Sequence, residues 1–328
     1  MCGEGNEVRL ARAALHFWEE PPISGESGSG TVFFSGCPLR CVYCQNKSIA
    51  RGEVGRGVSI ERLAHIFLEQ QERGALNINL VTPTHFATQI KAALDLARSD
   101  AFSDTPLVLP IVYNTSGYEL PEAIAALDGY VDVFLTDFKY ASVDLAGRYS
   151  SAPDYPDIAS RALDAMFELV GPLRYARNEK GEECLTRGVI VRHLLLPGQI
   201  ADSKRVMEAL AAKPYRDDII VSIMNQFTPS ADLAGTFPEL GFRVSEDEYD
   251  ELIDYVLDLG IMNSFMQEGD TADESFIPSF DYEGVSLMRH ADYLIVGGGL
   301  AGSTCAYLLK QAGCDVMLGS VPNVGVGT

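Results

Sequence analysis

The sequence has no run of about 18 apolar residues, the length that a membrane-spanning helix needs. Its start, residues 1–12, lacks the apolar stretch after a basic segment that marks a secretion signal. Basic residues are scarce, since 25 Lys and Arg face 46 Asp and Glu for a formal net charge of −21. Such a surface repels phosphate backbones and anionic lipids, and its simplest role is solubility. We therefore expect a cytoplasmic protein without nucleic-acid or membrane partners.

The cysteines do not suggest a disulfide framework. The chain has seven of them, an odd number, and Cys37, Cys41 and Cys44 lie within one short segment. Without a secretion signal, metal binding or redox chemistry in a reducing compartment fits this clustering better than disulfide pairing does.

Short apolar runs, rich in β-branched and aromatic residues and bounded by turn signals, recur along the chain as buried parallel strands do. They cover residues 32–35, 78–82, 107–114, 131–137, 189–196 and 219–225. Amphipathic segments typical of helices lie between and after them. These cover residues 60–73 after a capping Ser59, and 87–97, 121–127, 159–170, 203–211 and 246–259.

This alternation predicts repeated βαβ units and an α/β fold with a parallel sheet, either open or curled towards a barrel. In both forms the chemistry lies at the carboxyl ends of the strands. We predict the site at that edge of the sheet.

The three clustered cysteines follow the first predicted strand with the spacing C-x3-C-x2-C. A loop this short can wrap three thiolates around one iron–sulfur cube. A structural zinc site needs four ligands, usually two C-x2-C pairs, and the sequence has no second pair, although Cys2 or Cys184 could add a ligand. Zinc and unrelated buried thiols are the alternatives. Three ligands on a four-iron cluster leave one iron open, as catalysis requires.

With Tyr43 just before the last cysteine, this pattern resembles the signature of the radical S-adenosylmethionine (radical SAM) superfamily. The resemblance implies that Cys37, Cys41 and Cys44 bind a [4Fe–4S] cluster whose open iron chelates SAM. It also implies an incomplete (βα)6 barrel of the TIM type and reductive cleavage of SAM to a 5′-deoxyadenosyl radical that abstracts hydrogen.

The segment TVFFSGCPLRCVYCQN resembles the cluster loop of the glycyl-radical-enzyme activating branch. Five further segments are similar to a subgroup labelled as pyruvate formate-lyase activating enzymes. They are ARAALHFWEEP, NLVTPTHF, VYNTSGY, DFKY and MNQFTP. The resemblance implies reduced flavodoxin or ferredoxin as electron donor, and a glycyl radical enzyme as the substrate.

Polar residues at the strand ends are expected to form the SAM pocket. The set is Asn114, Ser116, Asp137, Lys139, Arg192 and Asn225. Lys139 would face an anionic group, and the Arg192 guanidinium could pair with the SAM carboxylate as a planar fork. A structural role is the alternative for each of these residues, and no catalytic residue is assigned beyond the cluster.

One departure concerns the second predicted strand. Activating enzymes carry Gly-Gly-Glu after it, whereas this chain has Val81 followed by TPTHF and no carboxylate. Thr82, Thr84 or His85 would then take over the polar contacts. The activating branch also carries Asp where this chain has Asn114, so the carboxylate on which a cation site could be built is replaced by an amide.

The C-terminal part carries a second pattern. Residues 297–302 have the spacing G-x-G-x-x-G after a predicted strand, and a helix (303–311) and a strand-like run (314–318) follow. This is the opening of a dinucleotide-binding fold, and it resembles flavoproteins such as UDP-galactopyranose mutase. Gly319 and Ser320 stand where a ribose-binding carboxylate is expected.

The predicted organisation is a radical SAM core domain (1–283), a linker (284–291) and a truncated dinucleotide-binding fragment without function (292–328). Two other interpretations of the chain's function remain open. The first is a radical SAM enzyme that acts on a small molecule or RNA. The second is a non-catalytic iron–sulfur electron carrier or a flavoprotein fragment.

Overall fold

The computed structural model describes residues 3–178, 180–266, 278–286, 293–297, 299–314 and 316–319. Cys2, most of the predicted linker and Gly298 lie outside these residues. The chain divides into two compact units, 1–285 and 286–328, and each is described by itself.

The strands of the described residues are β1 (Val8–His16), β2 (Ser29–Phe34), β3 (Arg56–Val58), β4 (Ile78–Val81), β5 (Ile111–Thr115), β6 (Val133–Asp137), β7 (Arg174–Arg177), β8 (Glu183–Leu194), β9 (Ile220–Met224), β10 (Ser264–Met266), β11 (Tyr293–Val296) and β12 (Val316–Gly319). The helices are α1 (Pro21–Ser24), α2 (Lys47–Ala50), α3 (Ile60–Glu72), α4 (Ala87–Ala97), α5 (Pro121–Ala125), α6 (Val143–Ser150), α7 (Tyr155–Val170), α8 (Ile200–Ala211), α9 (Ala231–Thr236), α10 (Glu246–Asp258) and α11 (Leu300–Gln311).

The first unit is built on a 10-stranded sheet with the order β10-β9-β8-β6-β5-β4-β2-β1-β3, and β7 pairs with β8 beside this path. All neighbours from β2 to β10 along the path are parallel, whereas β1 is antiparallel to both β2 and β3. No pairing among the described residues closes the sheet. The predicted α/β fold with parallel strands is confirmed, and the antiparallel β1 and β3 add to it.

All six predicted helices are present, and α7 and α8 begin earlier than predicted, at Tyr155 and Ile200. The hydroxyl of Ser59 accepts a hydrogen bond from the Arg62 N–H and so caps α3. Ser245 forms a reciprocal capping box with Glu248 at the start of α10. The predicted helix over 87–97 is confirmed with the same bounds.

The two faces of the sheet differ because side chains alternate along each strand. On β5, the buried Tyr113 packs in the large core that includes α5, α7, α8 and α10. Its neighbour Val112 lies in a smaller core on the opposite face, together with Ile23 from α1. Asn114, two residues further along, shares that second face. The face without long helices therefore becomes polar towards the carboxyl ends of its strands.

The described segment 278–285, at the end of the first unit, packs against β1. The Tyr282 N–H donates to Ala11 O (3.1 Å), and the Ala13 N–H donates to Glu283 O (2.8 Å). Val285 is buried, and Arg62 Nε donates to its carbonyl. The segment thereby satisfies main-chain groups along an edge of β1 that would otherwise be unpaired. No helix in the described residues has the length and apolar character to cross a membrane.

The second unit contains β11, α11 and β12. The two strands pair in parallel, with Tyr293 opposite Val316 and Val296 opposite Gly319. A parallel pair joined by a helix is the arrangement that the glycine pattern predicts. Whether this fragment has a function stays a prediction.

Candidate active site

The cysteine loop, residues 35–46, begins where β2 ends. The Ser35 hydroxyl donates to Val54 O (2.7 Å), and the Gly36 N–H donates to Ile49 O (2.8 Å). Gly36 has φ +89°, and a Cβ there would lie 2.5 Å from Glu4 Cγ. Only glycine fits this turn, which directs the following cysteines over the end of the sheet.

The three cysteines line one cleft that opens to solvent. The strand ends form its opposite wall. The lining comprises Phe34, Gly36, Cys37, Leu39, Cys41, Tyr43, Cys44, Gln45, Asn46, Ile49, Ala50, Val81, Thr82, Asn114, Thr115, Ser116, Asp137, Lys139, Arg192, Leu194, Met224 and Gln226. The carboxyl ends of β2, β4, β5, β6, β8 and β9 therefore all contribute, as the parallel sheet requires.

Burial disfavours the charged form of two of the three thiols. Burial and then the nearby Cys41 raise the pKa of Cys37 to about 12 and that of Cys44 to about 11. Coordination to a metal would offset this effect, because the charge of the metal favours the thiolate. The donor set thus suits a cationic cluster.

A single metal ion fits less well. Among the described residues, no group of three or more His, Cys, Asp or Glu side chains is arranged to hold one ion. A structural zinc site needs four ligands at about 2.0–2.3 Å. Cys184, a possible fourth ligand, lies near the start of β8, while the cleft lies at the end of that strand. Among the described residues, Cys184 therefore does not complete a structural zinc site with the three cysteines of the loop.

A network of buried charged side chains forms the floor of the cleft. Arg192 donates from Nε to Asp137 Oδ1 (3.1 Å), from Nη2 to Asn114 Oδ1 (2.7 Å) and from Nη1 to Glu19 Oε2 (3.4 Å). Lys139 Nζ donates to Asp137 Oδ2 (2.6 Å). The Asp137 carboxylate therefore bridges two cations, and each nitrogen of the Arg192 fork has a protein acceptor.

The charges of this network control its protonation. Burial alone would raise the pKa of Asp137, but Lys139 and then Arg192 outweigh it and hold that pKa below the ordinary value. Burial raises the pKa of Glu19, and the positive charge of Arg192 only partly opposes this effect. The Asp137 charge raises the pKa of Lys139 despite its burial. Asp137 and both cations are thus ionised at neutral pH.

Lys139 has hydrogen-bonding capacity left for a ligand. An ammonium group has three N–H donors, and in the described part of the chain only Asp137 accepts one of them. Tyr155 fixes the backbone here, since its hydroxyl accepts from the Lys139 N–H (3.0 Å) and lies 2.8 Å from Ser116 O. The end of β6 is therefore held against the end of β5.

The turn after β5 is closely packed. Gly117 has φ +77°, and a Cβ there would lie 2.3 Å from Asp137 O. Glu119 accepts hydrogen bonds from the hydroxyls of Thr115 (2.6 Å) and Thr84 (2.5 Å). Burial raises the pKa of Glu119 to about 7, and the two threonine hydroxyls lower it in part.

The end of β4, where the glutamate of activating enzymes is absent, has an unusual backbone. Thr82 has φ +57°, which is a left-handed conformation that β-branched residues rarely adopt, and it lines the cleft. Strained residues of this kind cluster at functional sites. His85 lies outside the lining, 2.6 Å from Ser35 O through Nε2, and Thr84 contacts Glu119. Of the three candidate substitutes, Thr82 faces the cleft.

The structure brings most of the predicted pocket residues together. Asn114, Ser116, Asp137, Lys139 and Arg192 line the same cleft as the cysteines. Asn225 is not among the lining residues; the neighbouring Gln226 is, and its carbonyl accepts from Gln45 Nε2 (2.9 Å).

Two further groups were not identified from the sequence. Glu19 reaches Arg192 from the segment before α1, and Ser150 at the end of α6 lies 3.0 Å from Cys41 Sγ through its hydroxyl. The adjacent acids Glu19 and Glu20, next to an apolar strand, were a signal for the first. No local pattern indicates the second.

Two family models match parts of the chain. Residues 31–170 match the radical SAM superfamily, and residues 295–318 match an NAD(P)-binding Rossmann-like domain. The radical SAM superfamily uses a [4Fe–4S] cluster and S-adenosylmethionine.

Individual proteins are similar over larger parts of the chain. An uncharacterized protein of Methanocaldococcus jannaschii is 26% identical over 260 residues, which are 75% of this chain and 67% of that protein. A radical SAM methyltransferase from Sphaerobacter thermophilus has 16% identity and a TM-score of 0.49, covering 73% of this chain and 66% of its own. A domain of pyruvate-formate lyase-activating enzyme from Bacteroides vulgatus has 13% identity and a TM-score of 0.37. The match covers 56% of this chain and 93% of that domain. The chain thus spans about two thirds of the first two relatives.

The matched segment 31–170 begins in β2, contains the cysteine loop and runs to the end of α7. It includes the cleft walls formed by β4, β5 and β6. Residues 31–170 are therefore similar to a radical SAM domain, and this part of the chain contains both the cysteine loop and these walls of the cleft.

Proposed function

We propose that Cys37, Cys41 and Cys44 bind a [4Fe–4S] cluster and that the adjoining cleft binds S-adenosylmethionine. The observation that carries this proposal is that all three thiols line one cleft with the polar strand ends. When bound and reduced, the cluster supplies the electron that cleaves SAM to methionine and a 5′-deoxyadenosyl radical.

The cleft walls suit the parts of SAM. Lys139 retains N–H donors and raises the positive potential beside the cysteine loop, so we assign it to the SAM carboxylate. Arg192, held by Asp137, Asn114 and Glu19, keeps the floor rigid in this proposal. Apolar residues such as Leu39 and Leu194 provide surfaces for the adenosine moiety.

The charged partners of Asp137 make it unsuited to act as a catalytic base. Asp137 remains a carboxylate because its two cationic partners hold its pKa low. A carboxylate that bridges two cations is a poor base for proton abstraction. In this proposal Asp137 therefore positions its two cationic partners, and hydrogen abstraction falls to the radical.

The proposal extends to the substrate from which the radical abstracts hydrogen. The cluster-loop resemblance supports a glycyl radical enzyme as the substrate, with reduced flavodoxin or ferredoxin as the electron donor. A cytoplasmic location accords with these partners. The absence of the family's glutamate after β4, where Thr82 stands, leaves room for a different substrate.

The test is SAM cleavage by the reconstituted protein. The full chain is loaded with iron and sulfide without oxygen, and SAM and dithionite are added. We expect 5′-deoxyadenosine from the parent and from Cys184→Ala, a buried cysteine outside the lining, but none from Cys41→Ala. A parent that carries the cluster and forms no 5′-deoxyadenosine contradicts the proposal.

The partner is tested separately. Activated chain is mixed with a purified pyruvate formate-lyase, and the glycyl radical is measured by its EPR doublet. An EPR signal that depends on SAM supports the activating role. Cleavage of SAM without this signal contradicts the glycyl radical enzyme as substrate and leaves the SAM chemistry intact.

A further inference from the structure

A chain of hydroxyl groups leads to the sulfur of the middle cysteine. Tyr43 OH lies 2.6 Å from Tyr140 OH, and Tyr140 OH lies 2.8 Å from Ser150 Oγ. Ser150 Oγ in turn lies 3.0 Å from Cys41 Sγ. Ser150 is 1% exposed and Tyr140 is 1% exposed, so water does not compete for these contacts.

The backbone holds this chain in register. The Val42 N–H donates to Tyr149 O (2.8 Å), and the Arg40 N–H donates to Ser150 O (3.3 Å). The cysteine loop is thereby attached to the last turn of α6, and the helix ends at Ser151 with φ +55°. These main-chain hydrogen bonds hold the backbone of Ser150 beside the loop, so that its hydroxyl lies within reach of Cys41 Sγ.

The direction of the hydrogen bonds follows from a count of protons. A cysteine thiolate has no proton, so it can only accept, and Ser150 must donate to it. Each hydroxyl has one proton, so Tyr140 must then donate to Ser150, and Tyr43 to Tyr140. Cluster binding at Cys41 therefore orders three hydroxyl dipoles towards one sulfur, and each bond polarises the next.

We propose that Ser150, oriented by Tyr140 and Tyr43, is a positioning residue that donates a hydrogen bond to Cys41 and raises the reduction potential of the cluster. The inference rests on the proposed cluster ligation. Hydrogen bonds to the cysteine sulfurs are among the factors that set iron–sulfur potentials. The reduced cluster carries one more negative charge than the oxidised one, so a donor at the sulfur stabilises the reduced form more.

The test is the midpoint potential of the reconstituted cluster, measured by EPR-monitored redox titration without SAM. We expect Ser150→Ala to lower the ratio of reduced to oxidised cluster about tenfold at a fixed solution potential, a shift of 59 mV for one electron. Tyr140→Phe should shift it less in the same direction, because Ser150 keeps its proton but loses a donor to its oxygen. The matched control is Ser203→Ala, a buried serine that is bonded to His193 and does not line the cleft.

A second measurement tests the hydrogen bond even if Ser150→Ala does not assemble the cluster. Pulsed EPR in D2O should detect an exchangeable deuteron close to the reduced parent cluster, and that coupling should persist in Tyr140→Phe with a changed strength. If Ser150→Ala binds the cluster with the parent's potential and coupling, the inference is wrong. If the parent binds no cluster at the three cysteines, the proposed function fails instead.

Discussion

Glu119 makes the stability of the fold depend on pH in a way that can be measured. The side chain is 3% exposed and accepts hydrogen bonds only from the hydroxyls of Thr84 and Thr115 in the described residues. Burial raises its pKa from 4.5 to about 7. At 1.36 kcal/mol per pKa unit, this rise corresponds to about 3 kcal/mol.

The sign follows from linkage. The folded chain binds the proton of Glu119 more tightly than the unfolded chain does, so this contribution is fully present below pH 4.5. It is lost as the pH rises through about 7. The carboxylate then stays buried without a cation. Replacement by glutamine keeps an oxygen that accepts from both threonines and removes the charge at every pH.

We therefore expect Glu119→Gln to match the parent near pH 5 and to be more stable by up to about 3 kcal/mol at pH 8. The assay is urea unfolding of the reduced, metal-free chain, followed by circular dichroism between pH 5 and 8. The control is Glu72→Gln, at an exposed position in the last turn of α3. A stability difference for Glu119→Gln that does not change with pH would refute the reasoning.

Three further substitutions test the site. Arg192→Met should lower the free energy of unfolding by about 3–5 kcal/mol, because Asp137 and Glu19 then stay buried without the cation that they share. An unchanged urea midpoint would contradict this expectation. Gly117→Ala should cost more stability than Gly129→Ala, because both have positive φ but only the first would place a Cβ against backbone, 2.3 Å from a carbonyl oxygen; equal losses would count against it. Thr82→Gly should be at least as stable as Thr82→Ala in thermal unfolding, because glycine adopts the positive φ of this position without strain. At an ordinary φ, glycine would instead be less stable than alanine by about 0.4–1 kcal/mol. A lower melting temperature for Thr82→Gly than for Thr82→Ala would show that the backbone of Thr82 is not strained.

Most of the parallel sheet could be predicted because its strands carry local signals. The predicted runs 78–82 and 219–225 coincide with β4 and β9 within a residue at each end. The antiparallel β1 could not be recognised as part of the sheet, because its partners are set by pairing with β2 and β3 rather than by its own pattern. The contacts of the segment 278–286 could not be predicted for the same reason, since they are with β1.

The site divides in a similar way. The cysteine spacing and the polar residues after each strand are local, and parallel topology alone brings Cys37, Asn114 and Asp137 to one edge. Contacts between distant segments are not encoded in this way. Glu19 meets Arg192 across 173 positions, and Ser150 meets Cys41 across 109. Only the structure therefore shows that the Arg192 guanidinium donates all of its described hydrogen bonds to groups of the protein.

The most direct test of the central claim is the EPR spectrum of the reduced, reconstituted chain with and without SAM, together with its iron content. We predict about four irons per chain, as one [4Fe–4S] cluster requires, and a change of the EPR spectrum when SAM is added. Cys37→Ala, Cys41→Ala and Cys44→Ala should each lose the iron, whereas Cys184→Ala should keep it. An iron content near four with an EPR spectrum that SAM does not alter, or retention of the cluster after loss of any of the three cysteines, would contradict it.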